Sequence, residues 1–260
     1  MLDLDVLTIV LLVLAGLTAG WIDAVVGGGG LVQLPALLLV PGISPVQALA
    51  TNKVASIMGT STSAITYYRR VGPDLTTAGP MALAALAGAC GGAALAAQIP
   101  ADLFTPIILV VLVAVATYTV LKPRMGEHTN LRWEGNRHRW TAAGIGLVIG
   151  AYDGLLGPGT GTFLVIALVS VLGYAFLPAS ALAKIVNFAT NLGALLFFVP
   201  HGAVIWGLGL AMGAANLVGA YVGARMAVAR GSAFVRVVFV VVVGALICKL
   251  GYDVVRDWGA

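Results

Sequence analysis

"DAVVGGGGLVQLP", Asp23–Pro35, sets a carboxylate four residues before a run of four glycines, inside an otherwise apolar stretch. "DGLLGPGTGTFL", Asp153–Leu164, repeats the arrangement in the second half of the chain. Glycine costs about 1 kcal/mol and proline about 3 kcal/mol against alanine inside a helix. Both stretches therefore predict a broken helix that restarts at once, as "LVQLPALLLV" after the first break and "TFLVIALVSVL" after the second. Unwound backbone is tolerated at membrane depth only where protein buries it or a wet cavity receives it.

The composition places these breaks in a bilayer. Of 260 residues, 60% are hydrophobic and 9% charged, and mean hydropathy is +1.02. A soluble domain cannot hide that much apolar side chain. Residues 75–98, 103–121, 154–183 and 185–224 contain no Asp, Glu, Lys or Arg. A crossing takes about 20 apolar residues, so the last run has room for two. These runs are continuous and do not alternate, which excludes a β-barrel. The expected fold class is all-α, a polytopic integral membrane protein. Asp3 and Asp5, with no basic residue, precede the first apolar stretch, which reads as a first membrane segment and not a cleaved leader. Net charge is +4, but the basic residues sit mostly in short loops, an orientation signal that gives no case for nucleic acid. Cys90 and Cys248 lie in apolar runs and read as small buried residues.

The chain divides at "KPRMGEHTNLRWEGNRHRW", Lys122–Trp140. Residues 1–121 form one transmembrane repeat, 122–140 a cytoplasmic linker and 141–260 a second repeat. Gly16, Leu17, Gly20, Asp23, Gly27 and Gly29 recur at a constant offset as Gly146, Leu147, Gly150, Asp153, Gly157 and Gly159; with one insertion, Ala48, Ala50 and Lys53 recur as Ala179, Ala181 and Lys184. Paired aspartates and paired lysines in the same order are hard to obtain by chance. The distribution of Lys and Arg over the loops narrowly favours inverted over parallel repeats. About four to five segments are expected per half, some of them partial. Inverted repeats with broken helices and a midplane site are a secondary-transporter architecture.

Asp23, Asp153, Lys53 and Lys184 are the charges that fall inside apolar segments. Each costs roughly 2.5–3.5 kcal/mol at a helix centre. They serve either as two structural ion pairs or as the lining of a site, and the two readings are compatible. Lys184, Asn187 and Asn191 share a helix face by spacing, as do Lys53, Ser56 and Thr60. Two polar stripes could thus face each other, although such stripes also act as interhelical glue. New helix starts at Gly28, Gly29 and Gly30 and at Gly159, Thr160 and Gly161 would present free N–H groups and partial positive charge, suited to an anion. Asp23 and Asp153 would offset the lysines or carry a proton. The spaced pairs Gly88/Gly92, Gly209/Gly213 and Gly219/Gly223 read instead as close helix packing.

"GWIDAVVGGGGLVQLPALLL" with "ALATNKVASIMGTSTSAITYYRRVG", and "GAYDGLLGPGTGTFL" with "ALAKIVNFATNLGALLFF" and "HGAVIW", resemble the two repeats of the sulfite exporter TauE/SafE family over nearly the whole chain. The resemblance implies an inner-membrane transporter of small sulfur anions such as sulfite, sulfonates or sulfoacetate. It maps the family's Gly-rich and Lys/Asn motifs onto Gly27–Gly30, Thr51, Asn52, Lys53, Gly157–Gly161, Lys184 and Asn187. The expected function is secondary transport by alternating access, with proton coupling through Asp23 or Asp153. An anion channel and a non-transporting membrane subunit are the alternatives. Tyr152-Asp153 is similar to the "YD" of intramembrane aspartyl proteases, but their Gly-x-Gly-Asp partner sequence is absent, so no enzyme is expected. No metal cluster and no cofactor are expected either. The expected partners are a small anion and the lipid bilayer, with a homodimer left open.

Overall fold

The computed structural model describes residues 5–100 and 128–258, past Val235 mostly by backbone. The described residues are helical, without a strand. The first half contains α1 (Val6–Val26), α2 (Gly30–Leu38), α3 (Pro45–Val71) and α4 (Leu75–Ala96). The second contains α5 (Gly135–Leu155), α6 (Thr160–Ala167, running on as a π-helical turn over Leu168–Leu172), α7 (Phe176–Phe198) and α8 (Trp206–Trp258). α8 is broken at Gly231, where φ is 73° and ψ −171°. Among the described residues, four helices are long and apolar enough to cross a membrane: Val6–Val26, Leu75–Ala96, Phe176–Phe198 and Trp206–Val235. The chain is a polytopic α-helical membrane protein. The expected segment over 103–121 lies outside the described residues.

Local chemistry explains the boundaries. Asp5 caps α1 by accepting from the Thr8 N–H at 3.1 Å. Ser44 and Gln47 form a reciprocal capping box at α3, with Pro45 in the first turn. α3 closes with Arg69 and Arg70 in its last turn and left-handed Gly72 as C-cap. Both glycine breaks fall where the sequence places them. α1 stops at Gly27 (φ 88°) and α6 starts behind Gly159 (φ 78°).

α5 begins at Gly135, within the stretch read as linker. Arg137 and Arg139 make that start look like loop, yet both are exposed on its opening turns. His138 turns inward, 5% exposed, with Nε2 3.1 Å from the Tyr174 hydroxyl. The preceding residues pair with the turn after the π-helix: Asn130 N–H donates to Gly173 O at 2.8 Å and Arg132 N–H to Leu172 O at 3.2 Å.

Packing is reciprocal between the halves. α1 packs on α8 and α5 on α4. The contacts are backbone on backbone: a Cβ at Gly219 would lie 2.0 Å from Leu17 O, and one at Gly92 2.0 Å from Ala151 O. Gly88 and Gly223 are equally constrained, and Gly209 and Gly213 meet Val54 and Met58. The close-packing reading of all three glycine pairs holds. Cys90 on α4 is half-buried, and the Cys248 side chain lies outside the described residues.

The interior is polar where a soluble core is oily. Lys53, Lys184, Asn52, Asn191 and Gln33 are buried, while Leu7, Leu83, Leu95, Val218 and Val222 face outward. That is the distribution expected when lipid is the solvent. A residue pair on α4 tests the packing. Gly92→Val forces a side chain into the α5 backbone and should lower the apparent Tm in detergent by about 3–10 °C. Gly91→Val, whose Cβ would meet nothing within 4 Å, should leave it unchanged.

Candidate functional site

The two breaks cross each other. A Cβ on Gly27 would lie 2.2 Å from the Gly161 carbonyl carbon, and one on Gly161 2.5 Å from the Gly27 Cα. Only glycine allows this approach, and at Gly27 the positive φ also favours it. Hydrogen bonds tie the crossing: Thr162 N–H donates to Gly27 O at 3.0 Å and the Thr162 hydroxyl to Val26 O at 3.2 Å. Two phenols brace the breaks, Tyr67 buried and Tyr152 half-buried. Tyr67 donates to Ala24 O at 2.9 Å and Tyr152 to Pro158 O at 2.5 Å.

The four intramembrane charges form two ion pairs, each between halves. Lys53 Nζ lies 2.6 Å from Asp153 Oδ2, with exposures of 1% and 2%. It is an ion pair without hydrogen-bond alignment at that oxygen. Lys184 Nζ lies 3.0 Å from Asp23 Oδ2 and also donates to the Asp23 carbonyl. Asp153 Oδ1 accepts from the Thr160 hydroxyl at 2.5 Å, and Asp23 Oδ1 from Gly29 N–H at 3.4 Å. Each aspartate therefore binds both a lysine of the other half and the restart of its own broken helix.

A buried cavity lies where these groups converge. Asp23, Gly27 and Gly30 line it from the first break, and Asp153, Gly157, Gly159, Thr160 and Gly161 from the second. α3 contributes Asn52, Lys53 and Ser56, and α7 contributes Asn187 and Asn191. The centre of a water molecule has ≈ 10 Å³ there, room for about one water. Neither short helix has a side-chain cap at its start. The N–H groups of Gly30, Thr160 and Gly161 find no acceptor among the described residues. Asn52 Oδ1 is buried without a partner, and the other end of its amide points toward Gly30, 3.9 Å from the position a Cβ would take there. Asn191 Nδ2 donates to the Asn187 carbonyl at 2.8 Å.

The two polar stripes do meet across this cavity, but not as complete stripes. Thr60 falls behind it, its hydroxyl donating to Ser56 O at 2.9 Å. Lys184 does not line the cavity either, because Asp23 stands between and holds its ammonium. Gly28 faces Leu31 and Ile22, and Gly29 packs on Ala19 O and the Asp23 Cβ. Asp23 and Asp153 thus offset the lysines, one of the two roles the sequence allowed them. Each lysine is neutralised, and the unpaired positive character comes from helix-start N–H groups. The sequence reading missed the Tyr67 and Tyr152 braces and the buried bond from Asn216 Nδ2 to Gln33 Oε1 at 2.9 Å. Gln33, a lone amide in an apolar nonamer, was the available signal.

The sulfite exporter TauE/SafE profile matches residues 12–250. Among similar proteins, the "Probable membrane transporter protein ORF9" of Sinorhizobium sp is 39% identical over 256 residues, 97% of this chain and 96% of the relative. The "Probable membrane transporter protein YfcA" of Escherichia coli K12 is 34% identical over 236 residues, 90% of this chain and 86% of the relative. A "Probable membrane transporter protein" of Haemophilus influenzae is 30% identical over 256 residues, 97% and 98% of the two chains. No solved structure matches. Family and relatives agree with what the buried charges and broken helices indicate, a membrane transporter: the chain belongs to the sulfite exporter TauE/SafE family.

Proposed function

We propose that this chain is a secondary transporter of a small sulfur-containing anion, of the sulfite, sulfonate or sulfoacetate class. It works in the bacterial inner membrane by alternating access between two inverted repeats. The observation that carries this reading is the convergence of two uncapped helix starts on one buried cavity, with the N–H groups of Gly30, Thr160 and Gly161 unpartnered among the described residues. Helix starts bind anions through such groups. The sulfur class rests on the family description.

The cavity's size and charge suggest the mechanism. It admits about one water, so an oxyanion requires the elements around it to part. The crossing of Gly27 and Gly161 supplies the two backbones that part. Lys53 is already neutralised by Asp153, so an incoming anion adds net negative charge to a buried site. Protonation of Asp153 removes that excess and leaves Lys53 with the anion. The anion and a proton then move together. Asn52, Asn187 and Asn191 orient the bound oxygens, and Lys184 holds Asp23 and the first break in place.

Thermal shift in detergent against sulfite, thiosulfate, sulfate, short sulfonates, sulfoacetate, phosphate, carboxylates and chloride tests the substrate class. A bound anion raises the apparent Tm by mass action. One sulfur anion should stabilise the protein, and Lys53→Ala should abolish that shift. Stabilisation by none of the panel would count against an anion site. Currents far above carrier turnover in planar bilayers would favour a channel instead.

Removing one member of a buried pair costs about 3–5 kcal/mol, whereas replacing both by apolar groups is often neutral. Lys53→Met should therefore unfold at lower temperature than wild type, and Lys53→Met with Asp153→Leu should recover stability but not transport. Normal uptake by the double variant in proteoliposomes would show that transport does not use this pair. Asp153→Asn should lose uptake driven by a pH gradient while retaining anion exchange without one; equal losses in the two assays would assign Asp153 a structural role.

A further inference from the structure

Three arginines gather at a second place, on the seam between α3 and α8. Arg69 and Arg70 stand in the last turn of α3, and Arg225 lies near the end of the straight part of α8, before Gly231. Two cavities open there, of ≈ 330 Å³ and ≈ 240 Å³, and Thr66, Arg70 and Arg225 line both. They make one groove with guanidinium groups across its middle. The larger end is walled by Ile65 and Tyr221, the smaller by Val228 and Ala229.

Among the described residues nothing compensates the charge of this groove. Among the described residues the ion pairs are Lys53–Asp153 and Lys184–Asp23, so none of these arginines has a carboxylate within 4.0 Å. The C-terminal dipole of α3 offsets only about half a charge. Arg225 stacks over Tyr221 at 4.8 Å, which fixes the guanidinium beside the groove. The hydroxyls of Thr62 and Thr66 are spent on their own helix, donating to Met58 O and Thr62 O. Ile65 is 52% exposed and Tyr221 44%, with Val218 and Val222 exposed further along α8. Cationic donors thus cap an apolar, outward-facing wall at the end of α3 and near the end of the apolar span of α8.

We propose that this groove binds one anionic phospholipid, its phosphodiester on Arg70 and Arg225 and its acyl chain along Ile65, Tyr221 and α8. Guanidinium forks match phosphate oxygens, and basic pockets between membrane helices suit anionic headgroups. A zwitterionic choline headgroup brings a cation against three arginines and is disfavoured. A free phosphate ester has the same oxygens but nothing for the apolar wall.

Native mass spectrometry of the full-length, detergent-purified protein tests this with phosphatidylglycerol, phosphatidylcholine and soluble glycerol phosphate. Retention of phosphatidylglycerol should exceed that of phosphatidylcholine by about tenfold, and each arginine neutralised should weaken it roughly fivefold. Arg70→Gln with Arg225→Gln should then bind about 25-fold more weakly, while Arg70→Lys with Arg225→Lys keeps part of the affinity. If the double glutamine variant does not fold, Arg225→Gln alone reads the fivefold step. Equal retention of the two lipids, or undiminished binding in the glutamine variants, overturns the proposal. Displacement of phosphatidylglycerol by an equal concentration of glycerol phosphate overturns it too, and makes the groove a vestibule for free anions.

Discussion

Lys53 reaches across the chain to Asp153, and Lys184 reaches back to Asp23. Each half neutralises its lysine with the other half's aspartate, so the charges are buried in pairs that span the two halves. An unpaired ion in this interior costs several kcal/mol, and the two halves are therefore obliged to interlock. The rest of the structure follows that constraint. Each aspartate sits in the last turn of a helix that stops just beyond it, and its carboxylate meets a lysine of the other half. Each helix restarts at once, because apolar chain in lipid must satisfy its own backbone.

Glycine makes the interlock sterically feasible at two levels. At the centre, Gly27 and Gly161 let two unwound backbones touch. At the periphery, Gly88 and Gly92 admit α5, and Gly219 and Gly223 admit α1. Between helices in lipid there is no water to expel, so association depends on close packing and polar contacts. The bare glycine faces provide the first and the ion pairs the second. The same close approach leaves a cavity for about one water, bordered by N–H groups that find no acceptor among the described residues. A site that is tight and polar, yet neutral in formal charge, suits a ligand admitted only when the surrounding elements move.

Much of this is legible in the residues. Hydropathy runs locate α1, α4, α7 and the first part of α8. The glycine clusters locate both breaks, and Lys53 and Lys184 announce themselves as charges in apolar sequence. The start of α5 was obscured because Arg137, His138 and Arg139 read as loop. There a buried histidine satisfied by Tyr174 looks the same in sequence as an exposed one. Thr60 and Lys184 carry the periodicity of a lining face, but a stripe about two turns long need not face one object along its whole length. Asp23 intercepts Lys184, and Ser56 O takes up the Thr60 hydroxyl.

By itself the sequence determined the solvent, the helix breaks and the family, because each is written in local composition or spacing. Only the tertiary structure decided which aspartate meets which lysine, that the two breaks touch, and that Lys184 stands behind the cavity. Those pairings join residues a hundred or more positions apart. Within one helix, spacing fixes which side chains share a face. It says nothing about which other helix that face will find, since that choice is made by the packing of all the elements together.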